Sequence, residues 1–106
     1  MVTSRIEVFE QMLESDPENT AVLFGLAKEY EKAGRYADTV ATLTKYLQSA
    51  DDEGNAYGML AGAYEKLGDR AAAREAYERG ISVAEAHGHP SMADDYRMTI
   101  ESDYED

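Results

Sequence analysis

A short stretch of this chain occurs twice, and the distance between its two copies limits the possible folds more than any other feature. Residues 26–34 read LAKEYEKAG and residues 60–68 read LAGAYEKLG, so that the copies lie 34 residues apart. A period of this length is typical of helical repeat proteins, in which each repeat buries its apolar face against a neighbour. The chain is therefore expected to be a repeat array.

Helix-starting and helix-ending signals divide the chain into six helices. Residues 4–7, Ser-Arg-Ile-Glu, form a capping box that begins the first helix, and Asp16-Pro17 ends it. Gly34 and Gly68 end the second and fourth helices, because glycine readily adopts the left-handed conformation at a helix C-terminus. Asp69 is the expected N-cap of the fifth helix. The predicted helices cover residues 4–15, 18–33, 36–49, 55–67, 70–86 and 90–102.

Apolar residues recur at three- and four-residue steps, and this spacing predicts the side of each helix that faces the core. The residues expected to face inward are Ile6, Phe9, Met12 and Leu13; Val22, Leu23, Leu26, Ala27 and Tyr30; Val40, Leu43, Tyr46 and Leu47; Tyr57, Leu60, Ala61 and Tyr64; and Ala73, Ala76, Tyr77, Ile81 and Val83. In the last helix, Met92, Tyr96 and Ile100 fall four apart and are expected to cover the end of the array. Residues 102–106 are expected to fray.

These features resemble the tetratricopeptide repeat, whose first helix carries Trp-x-x-Leu-Gly-x-x-Tyr and whose second carries Ala-x-x-x-Phe before a closing Pro. The matching positions are Leu23, Leu26, Ala27, Tyr30, Thr39 and Leu43 in repeat one, and Tyr57, Leu60, Ala61, Tyr64, Ala73 and Tyr77 in repeat two. In the opening helix Arg5 and Phe9 fall on the Ala and Phe positions, and Pro17 on the closing Pro. The departures from the pattern are Thr39 for Ala, Tyr46 for a small residue, and Asp51 and Glu85 for the closing Pro.

The resemblance implies an all-α fold, a right-handed superhelix of antiparallel helix pairs. It assigns residues 1–106 to a single domain. Within this domain it implies a leading half repeat at 4–16, repeat one at 20–53, repeat two at 54–87 and a covering helix at 90–102.

Composition narrows the possible functions. The chain has 106 residues, no cysteine and a net charge of −12, so that disulfides are excluded and nucleic-acid binding is not expected. The longest apolar run is much shorter than the ~20 residues of a membrane span, which indicates a soluble, cytoplasmic protein without a membrane partner. The acidity indicates a solvated surface or an acidic tail that opposes aggregation, while a basic partner and a high-salt environment stay open as explanations.

No residue pattern for catalysis, a cofactor or a metal is present. His87 and His89 are the only histidines, and their positions in a loop around Gly88 do not predict convergence on a metal. Acidic pairs such as Asp51-Asp52 are adjacent in sequence and do not face each other as an acid and a base must. The protein is therefore not expected to be an enzyme.

Tetratricopeptide proteins use the concave face, lined by the first helix of each repeat, to hold peptides or helices of partner proteins. The positions implied for this partner-binding groove are Phe24, Lys28 and Lys32 in repeat one, and Asn55, Gly58, Gly62 and Lys66 in repeat two. The carboxylate clamp of chaperone-binding members needs Lys and Asn at the places held here by Phe24, Lys28, Gly58 and Gly62. A chaperone C-terminus is therefore not the expected ligand. A non-catalytic binding module is the first hypothesis, and a self-associating homodimer is the alternative.

The two glycines at groove positions need an explanation, because glycine inside a helix costs up to about 1 kcal/mol relative to alanine. In one interpretation Gly58 and Gly62 let a bound partner approach the fourth helix closely. In the other they make room for a neighbouring helix of the same chain, with the bulk of Tyr46 as one candidate. The sequence leaves both interpretations open.

Overall fold

The computed structural model describes residues 4–104, which form six α-helices and no strand. The helices are α1 (Arg5–Ser15), α2 (Thr20–Lys32), α3 (Tyr36–Ser49), α4 (Asn55–Lys66), α5 (Arg70–Ala86) and α6 (Pro90–Asp103). They form two compact units, α1 to α3 and α4 to α6, with the boundary between Asp51 and Asp52. The predicted all-α fold is confirmed, and most helix ends agree with the prediction within one residue.

The start of α2 is the helix boundary that differs most from the prediction. The helix begins at Thr20 and not at residue 18, because Asn19 is its N-cap: the Asn19 Oδ1 atom accepts a hydrogen bond of 3.2 Å from the Val22 N–H. The Asn19 amide also donates to Asp16 Oδ2 at 3.1 Å, which fixes the turn before the helix. Asparagine is a favoured N-cap because its side chain satisfies an amide that has no partner within the helix.

The first unit has its core on α2. Val22, Leu23, Leu26, Ala27 and Tyr30 are all buried, as predicted, and α2 packs against both α1 and α3. Each fully buried leucine or valine contributes roughly 1.5–3 kcal/mol relative to an exposed one. Most of the packing energy of this unit therefore comes from the helix in its middle.

The two outer helices of this unit are less buried than the spacing predicted. On α3, Leu43 is buried together with Thr39, whose hydroxyl donates to the carbonyl of Arg35 at 2.9 Å and so is satisfied inside the core. No residue of α1 is buried, and Met12, predicted to face inward, is 45% exposed. The reason is that α1 lies at the edge of the unit, where α2 is its main packing partner.

In the second unit, the ends of α4 and α5 are fixed by acidic side chains. Asp52 Oδ2 accepts from the N–H groups of Gly54 at 2.9 Å and Ala56 at 3.1 Å, at the start of α4. Asp69 Oδ1 accepts from the Ala72 N–H at 3.1 Å, so the predicted cap of α5 is confirmed. Gly68 has the positive φ of 80° that the end of α4 requires.

The inner side of α5 differs from the prediction in its second half. Ala73, Ala76 and Tyr77 are buried as expected, but the next buried residues are Gly80 and Ala84. Ile81 and Val83, which were predicted to face inward, are only half-buried and do not belong to the core. Small residues occupy this side because side chains of α4 and α6 come close to its backbone.

Helix α6 packs on α5 and buries Ala93 and Ile100. The prediction that residues 102–106 fray is wrong for residues 102–104, and residues 105 and 106 lie outside the described part of the chain. The Tyr104 carbonyl accepts a hydrogen bond of 3.3 Å from Arg74, and the Tyr104 hydroxyl donates one of 2.6 Å to Glu65 Oε2. The Arg70 guanidinium lies 4.5 Å from the Tyr104 ring centroid, so that a cation–π contact adds to these hydrogen bonds.

Candidate partner-binding groove

The predicted groove residues of repeat one share one face of α2. Phe24, Lys28 and Lys32 are separated by four residues each, which places them one above the other on the helix. Phe24 is half-buried, with its ring centroid 5.2 Å from that of Tyr46 on α3. The Lys28 Nζ atom lies 5.4 Å from the centroid of the Phe24 ring. Phe24 therefore contacts both an aromatic ring and a cation.

A pocket of about 310 Å³ opens beside this face, between α1 and α2. We name it the α1–α2 pocket; its lining residues are Arg5, Phe9, Gly25, Lys28, Glu29 and Lys32. A Cβ atom at Gly25 would come within 3.2 Å of the Phe9 ring, so the absent side chain lets that ring lie against the backbone of α2. The pocket therefore has an aromatic wall and charged residues around it.

Sequence reasoning found Lys28 and Lys32 but missed the contribution of α1 to this pocket. The repeat pattern places Arg5 and Phe9 at packing positions of a half repeat and assigns no role to Gly25. The available signal was a glycine inside α2, where the helix itself gains nothing from glycine. That signal could have indicated close contact with a large side chain, but not which one.

The charges of the α1–α2 pocket are unusual for this chain. Glu29 lies between two cations, 3.9 Å from Arg5 and 3.5 Å from Lys32, and its side chain is only 18% exposed. Arg5 and Lys32 are 75% and 69% exposed, so their pairs with Glu29 are near water and contribute little to stability. Together with Lys28, the pocket has three cationic residues against one carboxylate.

In repeat two, the structure separates the two glycines that the sequence treated alike. A Cβ atom at Gly58 would lie 2.7 Å from the Tyr96 hydroxyl oxygen and 3.0 Å from its ring, whereas a Cβ at Gly62 would meet no atom within 4 Å. Gly58 is therefore covered by α6 of the same chain, and this face of α4 is not open to a partner. Tyr96, and not Tyr46, takes the space, while Gly62 remains accessible.

Tyr96 is held in place by three glycines. Its hydroxyl donates to the Gly54 carbonyl at 2.8 Å, and its ring atom Cε2 would lie 2.8 Å from a Cβ at Gly80. Burial is the main cause that raises the pKa of the Tyr96 phenol, so the neutral hydroxyl that donates this hydrogen bond is favoured. Gly54, Gly58 and Gly80 thus form a cradle for Tyr96.

The other two predicted groove residues of repeat two lie at opposite ends of α4. Asn55 is its first residue and Lys66 its last, and both side chains are exposed. A helix of 12 residues is about 18 Å long, at 1.5 Å per residue. The structure therefore does not bring Asn55 and Lys66 together.

Comparison with known proteins identifies the family. A family model described as tetratricopeptide repeat matches residues 54–87, the range that the sequence assigned to repeat two. The TPR repeat-containing protein PA0015 of Pseudomonas aeruginosa is 32% identical over 83 residues, which cover 78% of this chain and 79% of that protein. The chain belongs to the tetratricopeptide repeat family.

Two solved structures share the tetratricopeptide fold of this chain. The solution structure of protein BPP2914 from Bordetella parapertussis has a TM-score of 0.78 and 24% identity, covering 95% of this chain and 88% of that one. The crystal structure of MamA has a TM-score of 0.70 and 24% identity, covering 91% of this chain and 65% of MamA. At this identity the likeness shows the fold alone.

Membership of the tetratricopeptide family indicates a general role in protein interaction.

His87 and His89 have different partners: the Nδ1 atom of His87 lies 3.0 Å from the Val83 carbonyl, and the Nε2 atom of His89 lies 2.6 Å from Glu53 Oε1. Within residues 4–104, no three His, Cys, Asp or Glu side chains are grouped so that they could hold a metal ion. None of the helices in the same range has the length and apolar character needed to cross a membrane.

Proposed function

We propose that this tetratricopeptide protein holds a segment of a partner protein on the first-helix faces of its repeats and does not catalyse a reaction. The observation that carries the proposal is the α1–α2 pocket, an open space of about 310 Å³ beside the predicted groove residues Lys28 and Lys32. The accessible surface at Gly62 in repeat two supports it further. The proposed groove residues are Phe24, Lys28, Lys32, Asn55, Gly62 and Lys66, and Gly58 is left out because Tyr96 covers it.

The chemistry of these positions suits the binding of a peptide or helix. Phe24 and Phe9 offer half-buried aromatic surface, and exposed lysines stand beside them. Aromatic rings hold apolar side chains, while flexible charged side chains around them select the orientation of the segment. At Gly62 the missing side chain allows another backbone to approach α4 closely.

The substitution Gly62→Leu tests this proposal. It adds a side chain where nothing lies within 4 Å, so the variant is expected to fold with an unchanged or slightly higher melting temperature. If Gly62 lines the groove, the immobilised variant should lose a protein that the unsubstituted protein retains from a lysate of the source cell. Ser82→Leu adds the same side chain at an exposed position of α5 and should retain that protein.

Two results would contradict the proposal. One is that both leucine variants retain the same proteins in the same amounts as the parent. The other is that Gly62→Leu fails to fold, because a groove position must tolerate the added side chain in the absence of a partner.

Self-association is the second candidate function, and exposed apolar residues favour it. Val8 and Met12 lie one turn apart on α1 and are 41% and 45% exposed, and Met98 on α6 is 62% exposed. Exposed apolar patches are typical of surfaces that bind other proteins, including a second copy. Light scattering at high concentration tests this candidate, and a strictly monomeric protein would exclude it.

A further inference from the structure

We propose that the α1–α2 pocket binds an acidic segment of the partner protein, with one apolar side chain against Phe9 and carboxylates beside the surrounding cations. This inference rests on the proposed function, because it names the chemistry of the segment that the groove of repeat one would hold. It concerns the first unit alone.

The concentration of positive charge is the first argument. The first unit contains nine acidic and five basic residues, and the whole chain contains 22 acidic and 10 basic ones. Three of those ten basic residues, Arg5, Lys28 and Lys32, line one pocket of about 310 Å³. Such a pocket is complementary to negative charge, and electrostatic complementarity selects partners and suppresses wrong ones.

The geometry of these cations is the second argument. Lys28 and Lys32 are one helical turn apart, so their Cβ atoms are separated by roughly 6 Å. The Glu29 Oε2 atom lies 3.5 Å from Lys32 Nζ and 3.9 Å from Arg5 Nη1. Both distances are long for a charge-assisted hydrogen bond. A carboxylate from a ligand can approach these exposed ends more closely, and Glu29 is the one carboxylate among the described residues that line the pocket.

The aromatic wall is the third argument, and it explains why the ligand should not be acidic throughout. Because Gly25 has no side chain, the Phe9 ring lies against the backbone of α2, and the ring contributes apolar surface to the pocket. Lys28 already places its ammonium group over the ring of Phe24, at 5.4 Å. An apolar side chain of the ligand would cover Phe9, while its neighbouring carboxylates reach Lys28 and Lys32.

The net charge of −12 opposes this binding, and distance decides which effect is larger. Exposed charges that are more than about 8–10 Å apart are largely screened at physiological ionic strength. Contacts with Arg5, Lys28 and Lys32 would be made at hydrogen-bond distance and are screened much less. The local cations therefore determine the preference, and the distant acids lower the association rate.

A charge-swap experiment tests the inference. Two dye-labelled peptides of equal length have leucine at the same positions and either glutamate or lysine at the others, and fluorescence anisotropy measures their binding to the full chain. The glutamate peptide should bind about ten times more tightly or better, a difference that anisotropy resolves readily. In the variant Lys28→Glu/Lys32→Glu this order should reverse, so that the lysine peptide binds more tightly.

The matched control is Lys45→Glu, which makes the same change at an exposed position of α3 that does not line the pocket. It should bind both peptides as the parent does. Circular dichroism should show unchanged helicity in all variants, and the single variant Lys28→Glu, expected to lose part of the preference, replaces the double variant if the latter is unstable.

Three outcomes would overturn the inference. The first is that the glutamate peptide binds no better than the lysine peptide, and the second is that Lys28→Glu/Lys32→Glu does not change the preference. The third is that the pure protein dimerises and the same variant makes it monomeric, which would assign the pocket to a second copy. The first two outcomes leave the proposed function intact if Gly62→Leu still loses a partner that Ser82→Leu retains.

Discussion

The two repeats have equivalent helix pairs, α2 with α3 and α4 with α5, but residues at equivalent positions have different surroundings. Where repeat one has Phe24 and Lys28, repeat two has Gly58 and Gly62, 34 residues later. In the first unit these positions carry side chains that stand beside an open pocket. In the second unit neither position carries a side chain, and Tyr96 from α6 occupies the surface above Gly58.

The difference shows that a position in the repeat does not determine its use. A position on the first-helix face is available to a partner only if no later helix of the same chain covers it. In the second unit α6 provides that cover through Tyr96, and the glycine cradle makes the contact close. The second unit also has the larger negative charge, with 13 acidic residues against five basic ones, whereas the first has nine against five.

The largest effect is expected from removing the side chain that covers repeat two. Tyr96→Ala should lower the free energy of unfolding by about 2–4 kcal/mol, because it removes a half-buried ring and its hydrogen bond to Gly54. Chemical denaturation followed by circular dichroism measures this change. Met98→Ala on the same helix is the control and should stay within about 0.5 kcal/mol, since Met98 is 62% exposed. Equal effects of the two substitutions would show that Tyr96 does not hold α6.

The next effect compares the two glycines of α4. Gly62→Ala should raise the free energy of unfolding by about 0.5–1 kcal/mol, because alanine favours the helix and its methyl group meets no other atom within 4 Å. Gly58→Ala should lower it by about 1 kcal/mol, because the methyl group would lie 2.7 Å from the Tyr96 hydroxyl and displace the ring. Opposite signs are the essential result, and the same sign for both would refute the distinction between an open and a covered glycine.

The smallest effect concerns tyrosines that donate to carboxylates in each unit. Burial, and next the Glu10 carboxylate 2.7 Å away, raises the pKa of Tyr30 to about 12. Burial, and next Glu65 at 3.2 Å, raises the pKa of Tyr77 to about 12. Because each pKa is raised above the ordinary value of 10.0, the stability that the neutral phenols provide is complete below pH 10 and is lost as the pH rises from 10 to 12.

Two carboxylate substitutions separate the contributions of the units. Glu10→Gln should lower the pKa of one tyrosine, Tyr30, whereas Glu65→Gln should lower those of Tyr77 and Tyr104, which both donate to it. Ultraviolet absorbance of tyrosinate measures the titration, and the melting temperature at alkaline pH measures the stability. If Glu65→Gln changes the titration no more than Glu10→Gln does, the shared carboxylate of the second unit is not confirmed.

The sequence by itself determined the helices and the family, because these depend on local signals. Apolar spacing, Pro17, Asp69 and the glycines Gly34 and Gly68 act within a few residues along the chain, so their effect can be read without knowing what packs against them. The period of 34 residues also predicted that α2 and α3 form one repeat and that α4 and α5 form the next. Asn19 is a local signal of the same kind, and as an N-cap it places the start of α2 at Thr20.

The tertiary structure alone decided which of the two predicted groove glycines is covered. Nothing near Gly58 or Gly62 in sequence distinguishes them, and only the position of Tyr96, 38 residues after Gly58, shows that one is covered. The same holds for Arg5 and Phe9, which join Lys28 in a pocket across two helices. The physical reason is that access to a surface depends on the side chains that other helices place over it, and helical periodicity describes only the helix on which a residue lies.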